Sequence, residues 1–393
     1  MKKSNLFFVL LTALIVMSCS KDETTMSIPQ EGNAIEFGTY LGRNPQTRGA
    51  ELTTANIANF GIMAAYTGQD DFVPASSPMN FMHNQLVVKS GSNWTYTPVK
   101  YWPTTIDDKI SFFAYAPHSS TATSVLSLPA SSTTGTPTVT YTVPSDPTTM
   151  VDFVAGVVMN RKRTVATEGA AVANKVDFSL KHELTRVAFQ AKVNKDVYKL
   201  AEDAHKTKIN IKSATFDAGA KFYSKGVYTF ATVNDQRGSW TPSVPAAFPI
   251  TNAILNVATP GATDLGGYVQ PGILLSGEDL VTLFKEISSE VPSYLFLIPP
   301  NGATGLNGSN EISVTFEYDI VTVDTNLANG HSVTSATKKV YLTAGTLKQG
   351  VAYNYIFTFN VDEVVVTAEV DTWGTEGSGG GTIDYGTPDV TTP

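Results

Sequence analysis

The chain has 393 residues, of which 42% are hydrophobic and only 16% charged, and its net charge is −8. That acidic balance, with no basic stripe, excludes the usual modes of nucleic-acid binding. A single cysteine excludes a disulfide framework and a cysteine-based zinc site. The length predicts two domains of common size. The abundance of Thr, Val, Tyr and Phe suits pleated, half-buried surfaces and predicts an all-β chain.

The first segment, residues 1–19, reads as an export signal. Met1-Lys2-Lys3 is a short basic start, Leu6 to Met17 is apolar apart from Thr12, and Val16-Met17-Ser18-Cys19 places a small residue before cysteine. An apolar run this short does not span a hydrocarbon core of about 30 Å. The expectation is a lipoprotein signal peptide, with Cys19 carrying the acyl chains (palmitate among them). The charged Ser20-Lys21-Asp22-Glu23 just after it resembles the export tags of surface lipoproteins, which predicts the outer face of the outer membrane. Residues 20–33 are polar, lack periodicity and are expected to form a tether.

From Ala34 to Leu41 the chain alternates, with Ile35, Phe37, Thr39 and Leu41 on one face and Glu36, Gly38 and Tyr40 on the other, as in a strand. A loop with two arginines, Arg43 and Arg48, comes next. Many short strands come after it with turn punctuation between them: Phe60 to Tyr66, Gln85 to Lys89, Trp94 to Tyr101, Ile110 to Tyr115, Val139 to Val143 and Asp152 to Val158. Residues 118–138, rich in Ser, Thr, Ala and Pro, read as a loose loop. The polar stretch Ala166 to Asn174 is the expected domain boundary, giving an N-terminal β-sandwich over 34–172 and a C-terminal one over 173–373.

In the second half Val176, Phe178, Leu180 and His182 alternate with polar residues, and Val187, Phe189, Ala191 and Val193 repeat the pattern after a phase break. Helical spacing predicts one short helix over Lys195 to Lys206 and another from Ser276 to Ile287, where Leu280, Leu283, Phe284 and Ile287 would share a face. Strands are expected at Ile209 to Phe216, Gly226 to Ala231, Tyr294 to Ile298, Ile312 to Ile320 and Tyr353 to Val361. A last strand carries Val364, Val366, Ala368 and Val370. Residues 374–393 read as a Gly-rich linker and an acidic tail. The sum is two β-sandwich domains in series with a few short helices.

No recognisable chemistry is legible. The five histidines form no zinc-binding spacing, and neither a nucleophile elbow nor a phosphate loop is present. His182-Glu183 reads as a core histidine at the end of a strand, and Asp70-Asp71 and Asp107-Asp108 as solvated turns. The expectation is therefore no enzyme, no cofactor and no metal. Trp94, Trp102, Trp240 and Trp373 leave a second reading open, a surface lipoprotein that stacks sugar rings of a glycan.

Several segments in order resemble the fimbrillin family, the lipoprotein pilins of type V pili. They are Tyr101-Trp102-Pro103, Ile110 to Pro117, Asp152 to Ala155, Val176 to Val187, Leu297 to Pro300, and Gly350 to Trp373. The resemblance implies two transthyretin-like β-sandwich domains in tandem. It also implies that an arginine-specific protease releases the first strand, here Ile35, Phe37 and Leu41, by cutting after Arg48 or Arg43. A C-terminal strand of another pilin subunit would then fill the groove, drawn either from Val364, Val366, Ala368 and Val370 or from the tail beyond. The resemblance thus implies a fimbrium subunit on the cell surface supporting adhesion, whose place as stalk, tip or anchor and whose receptor stay open.

Overall fold

The computed structural model describes residues 33–41, 52–119, 125–130, 132–146, 149–164, 174–194, 207–217, 221–245, 255–261, 265–275, 279–284, 294–302, 304–308, 311–360 and 363–372. Among these residues there are strands, turns and loops but no α-helix. The first nine strands are β1 (Glu36–Leu41), β2 (Asn59–Gly68), β3 (Met82–Ser90), β4 (Asn93–Thr95), β5 (Lys109–Ala116), β6 (Leu126–Ser127), β7 (Thr138–Thr142), β8 (Val154–Lys162) and β9 (Lys175–His182). Next come β10 (Thr185–Val193), β11 (Thr207–Asp217), β12 (Tyr223–Thr229), β13 (Ser239–Pro245), β14 (Ile273–Leu275), β15 (Val281–Thr282) and β16 (Leu295–Leu297). The last four are β17 (Ser313–Val323), β18 (His331–Tyr341), β19 (Val351–Phe359) and β20 (Val364–Thr372).

Seven of these strands form one sheet in the order β1-β9-β8-β5-β2-β3-β4. The sheet rolls until its ends meet, because Ile35 N donates to Lys100 O at 2.9 Å and Trp102 N to Asn33 O at 2.9 Å. Rolling gives each strand an inner and an outer face, both apolar in the middle of the sheet. Phe60, Ile62, Phe112, Ala114, Val176, Phe178 and Leu180 point into the roll with Ile35, Phe37 and Leu41. Met63, Phe113 and Tyr115 point the other way, against the sheet β13-β12-β7-β6. Full burial on both sides explains why Ile110 to Tyr115 is nearly all apolar.

The remaining strands form a sandwich, with β15-β10-β19-β20 (β16 also on β10) facing β14-β11-β17-β18. Its core is aromatic. Phe189 lies between Phe216 at 4.8 Å and Tyr355 at 5.4 Å, and Phe316 meets Phe357 at 4.8 Å, edge to face.

The sheet β13-β12-β7-β6 takes strands from both sides of the expected boundary. Lys225 to Thr229 of β12 pair with Thr142 to Thr138 of β7. Two local expectations are corrected. Residues 279–284, inside the predicted Ser276–Ile287 helix, are extended: Val281 and Thr282 pair with Ala191 and Gln190 of β10, and Phe284 bridges Leu255. A β-branched pair finding a partner strand overrides the weak helical spacing. The stretch read as a loose loop carries β6, whose Leu126 is buried, and a bridge from Thr134 to Pro78. The other predicted helix, Lys195–Lys206, lies outside the described residues.

Candidate functional site

β1 is the strand on which the site is built. It runs parallel to β9 over six positions, from Glu36 opposite Lys175 to Leu41 opposite Leu180. The sequence alternation is realised: Ile35, Phe37 and Leu41 are buried in the roll, while Glu36 and Tyr40 face solvent. Phe37 sits in an aromatic box, its ring 5.1 Å from Tyr96, 5.9 Å from Phe112, 6.1 Å from Phe178 and 6.4 Å from Phe60.

Among the described residues, the backbone bonds to the other edge of β1 lie at its ends. At one end Tyr96 donates its hydroxyl to Ile35 O at 2.9 Å. At the other, Thr54 Oγ1 accepts from Leu41 N at 2.9 Å and donates to Leu41 O at 2.6 Å. These contacts fix the backbone orientation. Ile35 and Leu41 turn their peptide groups away from β9, so by strand alternation Phe37 and Thr39 do too, while Glu36, Gly38 and Tyr40 supply the ladder to β9. Between the two ends a cavity of about 510 Å³ opens beside Phe37 and Thr39, bordered by Lys89, Asn93 and Trp94. Over the outer face of β1, Lys175 and Asp177 form an ion pair at 2.9 Å. It crosses at Gly38, where a Cβ would run into Asp177 Oδ1 and Lys175 Nζ, so a side chain here displaces the pair.

Withdrawing β1 would uncover Phe60, Phe112, Val176, Phe178 and Leu180, together with one unpaired edge of β9. An apolar trough and free backbone groups side by side make a receptor for an extended segment. Sequence reasoning identified the strand but missed what holds it: nothing in the sequence marks Thr54 or Tyr96 as its fasteners.

The far end of β9 enters a buried polar junction. His182 Nδ1 lies 2.8 Å from Asp152 Oδ2, which also accepts from Leu52 N at 2.9 Å. His182 is thus the hydrogen-bonded core histidine its sequence position suggests. Beside it Glu183 Oε2 accepts from Gln349 Nε2 at 2.5 Å and lies 3.7 Å from Arg237 Nη1. Burial pushes the Glu183 carboxyl up to about 7, against the opposing pull of Arg237 and of hydrogen bonds from Gln349 and Tyr228.

Other singled-out residues are structural in their surroundings. Trp102 and Trp240 are buried and donate to Asn174 O and Glu183 O, so neither offers a face to a sugar. Trp94 is half-buried against Phe60 at 4.8 Å. Asp71 pairs with Lys109, Asp107 with Lys162, and Asp108 accepts from Tyr66 OH at 2.6 Å. Among the described residues no three His, Cys, Asp or Glu side chains are grouped to hold a metal ion. The strand carrying Val364, Val366, Ala368 and Val370 is β20, which pairs with β19 of its own chain at nine positions and buries Val364 and Ala368. Cys19, Arg43, Arg48, Trp373 and the tail lie outside the described residues.

Comparison with known proteins places this architecture. The sequence profile of the fimbrillin-like family matches residues 47–373. This chain belongs to the fimbrillin-like family. The matched span starts after β1 and stops before the tail. A fimbrium subunit of Phocaeicola vulgatus, Fim1C, is 31% identical over 387 residues, which cover 94% of this chain and 95% of that protein. The crystal structure of a fimbrial protein from Bacteroides vulgatus is similar with a TM-score of 0.69 at 24% identity, over 87% of this fimbrillin-like chain and 99% of the other, and it supports the fold.

Proposed function

We propose that this fimbrillin-like chain is a structural subunit of a surface pilus that assembles by replacing its own first strand with a segment of a neighbouring subunit. It is exported as a lipoprotein acylated at Cys19 and held at the outer membrane until an arginine-specific protease cuts after Arg48, or after Arg43. The freed β1 then leaves, the subunit joins other pilin subunits in the fimbrium, and adhesion is the output. Its relative Fim1C is named as a fimbrium subunit, and the reading requires no catalytic residue, metal or cofactor.

The observation that carries this reading is the way β1 is fastened. One edge pairs with β9, and among the described residues the backbone bonds to the other edge lie at its two ends. Ile35, Phe37 and Leu41 each contribute about 1.5–3 kcal/mol of burial, so a replacement strand with matching side chains would bind tightly and leave slowly. The test is N-terminal sequencing of protein sheared from cells, then electrophoresis in mild SDS without boiling. A start at Gly49 (or Asn44) with a ladder of multimers is expected. Mature surface protein that retains Ile35 and Phe37 and runs as a monomer would overturn the proposal.

A further inference from the structure

The segment that fits the groove is written in the tail. β1 reads Ile35-Glu36-Phe37-Gly38-Thr39, and the tail reads Ile383-Asp384-Tyr385-Gly386-Thr387. No other stretch of the chain carries this pattern of Ile, acid, Phe or Tyr, Gly, Thr. Each position has a physical reason in β1. Ile35 and Phe37 are the buried pegs. Glu36 is exposed at the mouth of the cavity bordered by Lys89 and Lys175. Gly38 lies under the Lys175–Asp177 ion pair. Thr39 is the small, half-buried inward residue next in line.

We infer that Ile383–Thr387 of a second copy takes the place of β1, parallel to β9, with Asp384 opposite Lys175 and Gly386 opposite Asp177. This rests on the proposed strand replacement and deepens it by naming the donor segment, its direction and its register. Groove and donor then belong to the same sequence, so one kind of subunit suffices to build a polymer. That makes this chain a stalk subunit.

The copy departs from β1 at Pro388, which stands at the Tyr40 position. Tyr40 is one of the residues whose N–H faces β9, and proline has none, so the ladder ends at Thr387. β20 is the less suitable donor. It is already paired along its length with β19, and freeing it would break that ladder and expose Val364 and Ala368.

Reach argues for a second copy over the chain's own groove. β20 ends at Thr372 beside Val351, and Gly350 N bonds Leu184 O, so the tail departs at the junction end of β9. A donor parallel to β9 must enter at the opposite end, near Lys175. The distance between those ends, about nine strand residues, is roughly 30 Å. The ten residues Trp373–Thr382 span at most about 36 Å fully extended. A chain's own tail would need nearly all of that length and a reversal of direction as well. A neighbour beyond the Lys175 end feeds its tail straight in, and repetition of such a head-to-tail contact gives a filament.

The full chain and tail variants are processed with an arginine-specific protease and run unboiled in SDS. The variants lie beyond β20 and outside the cores of the sheets, so folding of those sheets is not at stake. Ile383→Asp and Tyr385→Asp are expected to reduce the ladder at least tenfold, while Tyr385→Phe retains it. Under oxidation, Asp384→Cys combined with Lys175→Cys should give a disulfide-linked ladder, because register partners stand within disulfide reach. Asp384→Cys with Asp177→Cys, two residues out of register, should not. If the parent ladders and the aspartate variants ladder equally well, this inference fails while strand replacement stands with β20 as donor. An Asp384→Cys/Lys175→Cys disulfide confined to single chains overturns the second-copy assignment. A parent that forms no ladder overturns the pilus reading, and this inference with it.

Discussion

At the scale of single residues, two buried carboxylates behave oppositely. Glu183 sits where β9 passes into β10, and burial lifts its carboxyl to about 7 despite Arg237, Gln349 and Tyr228. An unfolded chain releases that proton near 4.3. In between, the folded chain holds a proton the unfolded chain has lost, so the stabilisation is full below about 4 and fades as the pH rises through 7. The ceiling is on the order of 4 kcal/mol. Glu183→Gln keeps the shape and removes the titration. The urea midpoint of the parent should fall between pH 5 and 8 and that of the variant should stay level, whereas parallel profiles would refute the assignment. Asp319 lies under the strap of residues 265–272 on the outer face of β17. Burial alone would raise its carboxyl, but bonds from Lys212, Tyr268 and Ser335 outweigh this and hold it below the usual range. Tyr268→Phe removes the 2.7 Å bond to Asp319 and the hydroxyl that Asn210 Nδ2 donates to at 3.0 Å. A loss of about 1–2 kcal/mol in chemical denaturation is expected; no loss would mean that water replaces the hydroxyl.

At the scale of elements, β1 carries the signature of a strand whose ladder runs along one side. Glu36, Gly38 and Tyr40 turn their amides to β9, and Phe37 and Thr39 turn theirs to the cavity. Hydrogen exchange tracked by NMR should therefore show slow, fast, slow, fast, slow protection from Glu36 to Tyr40. Phe37→Ala, which empties the aromatic box and costs about 3–5 kcal/mol, should erase the alternation by letting the strand leave often. Uniform protection in the parent would contradict the orientation derived from the Thr54 and Tyr96 contacts. The strand itself was legible in the sequence, because period-two alternation of Ile35, Phe37 and Leu41 is a local property. Its pairing with β9 was not, since a parallel partner is chosen by the closing of the whole sheet and leaves no local mark. Residues 279–284 show the converse failure: Leu280, Leu283 and Phe284 have helical spacing, yet Leu280 is exposed and Leu283 N donates to Phe189 O in an extended segment. The site divides the same way. Buried pegs follow from periodicity, whereas Thr54, Tyr96 and the Asp152–His182 pair depend on contacts between residues far apart in sequence.

At the scale of the molecule, the two halves are interleaved by the sheet β13-β12-β7-β6. The hairpin β12–β13 comes after β10 in the chain, yet β12 pairs with β7 and its rings pack on the first half. Phe153 lies 5.0 Å from Tyr228 and 5.8 Å from Trp240, and Tyr141 lies 6.2 Å from Trp240. Glu183, Arg237 and Gln349 close the same junction. Chains of this length commonly unfold domain by domain, because few contacts cross the boundary. Here a full sheet and its aromatic cluster cross it, so neither half keeps its core once the other opens. The full chain should melt in one calorimetric transition, with calorimetric and van't Hoff enthalpies in agreement. Trp240→Ala removes the ring at the centre of the cluster and its bond to Glu183 O, a loss of about 3–5 kcal/mol confined to the junction. That loss should uncouple the halves and resolve the single transition into two. A parent that already melts in two steps would show that the shared sheet does not bind the halves into one cooperative unit.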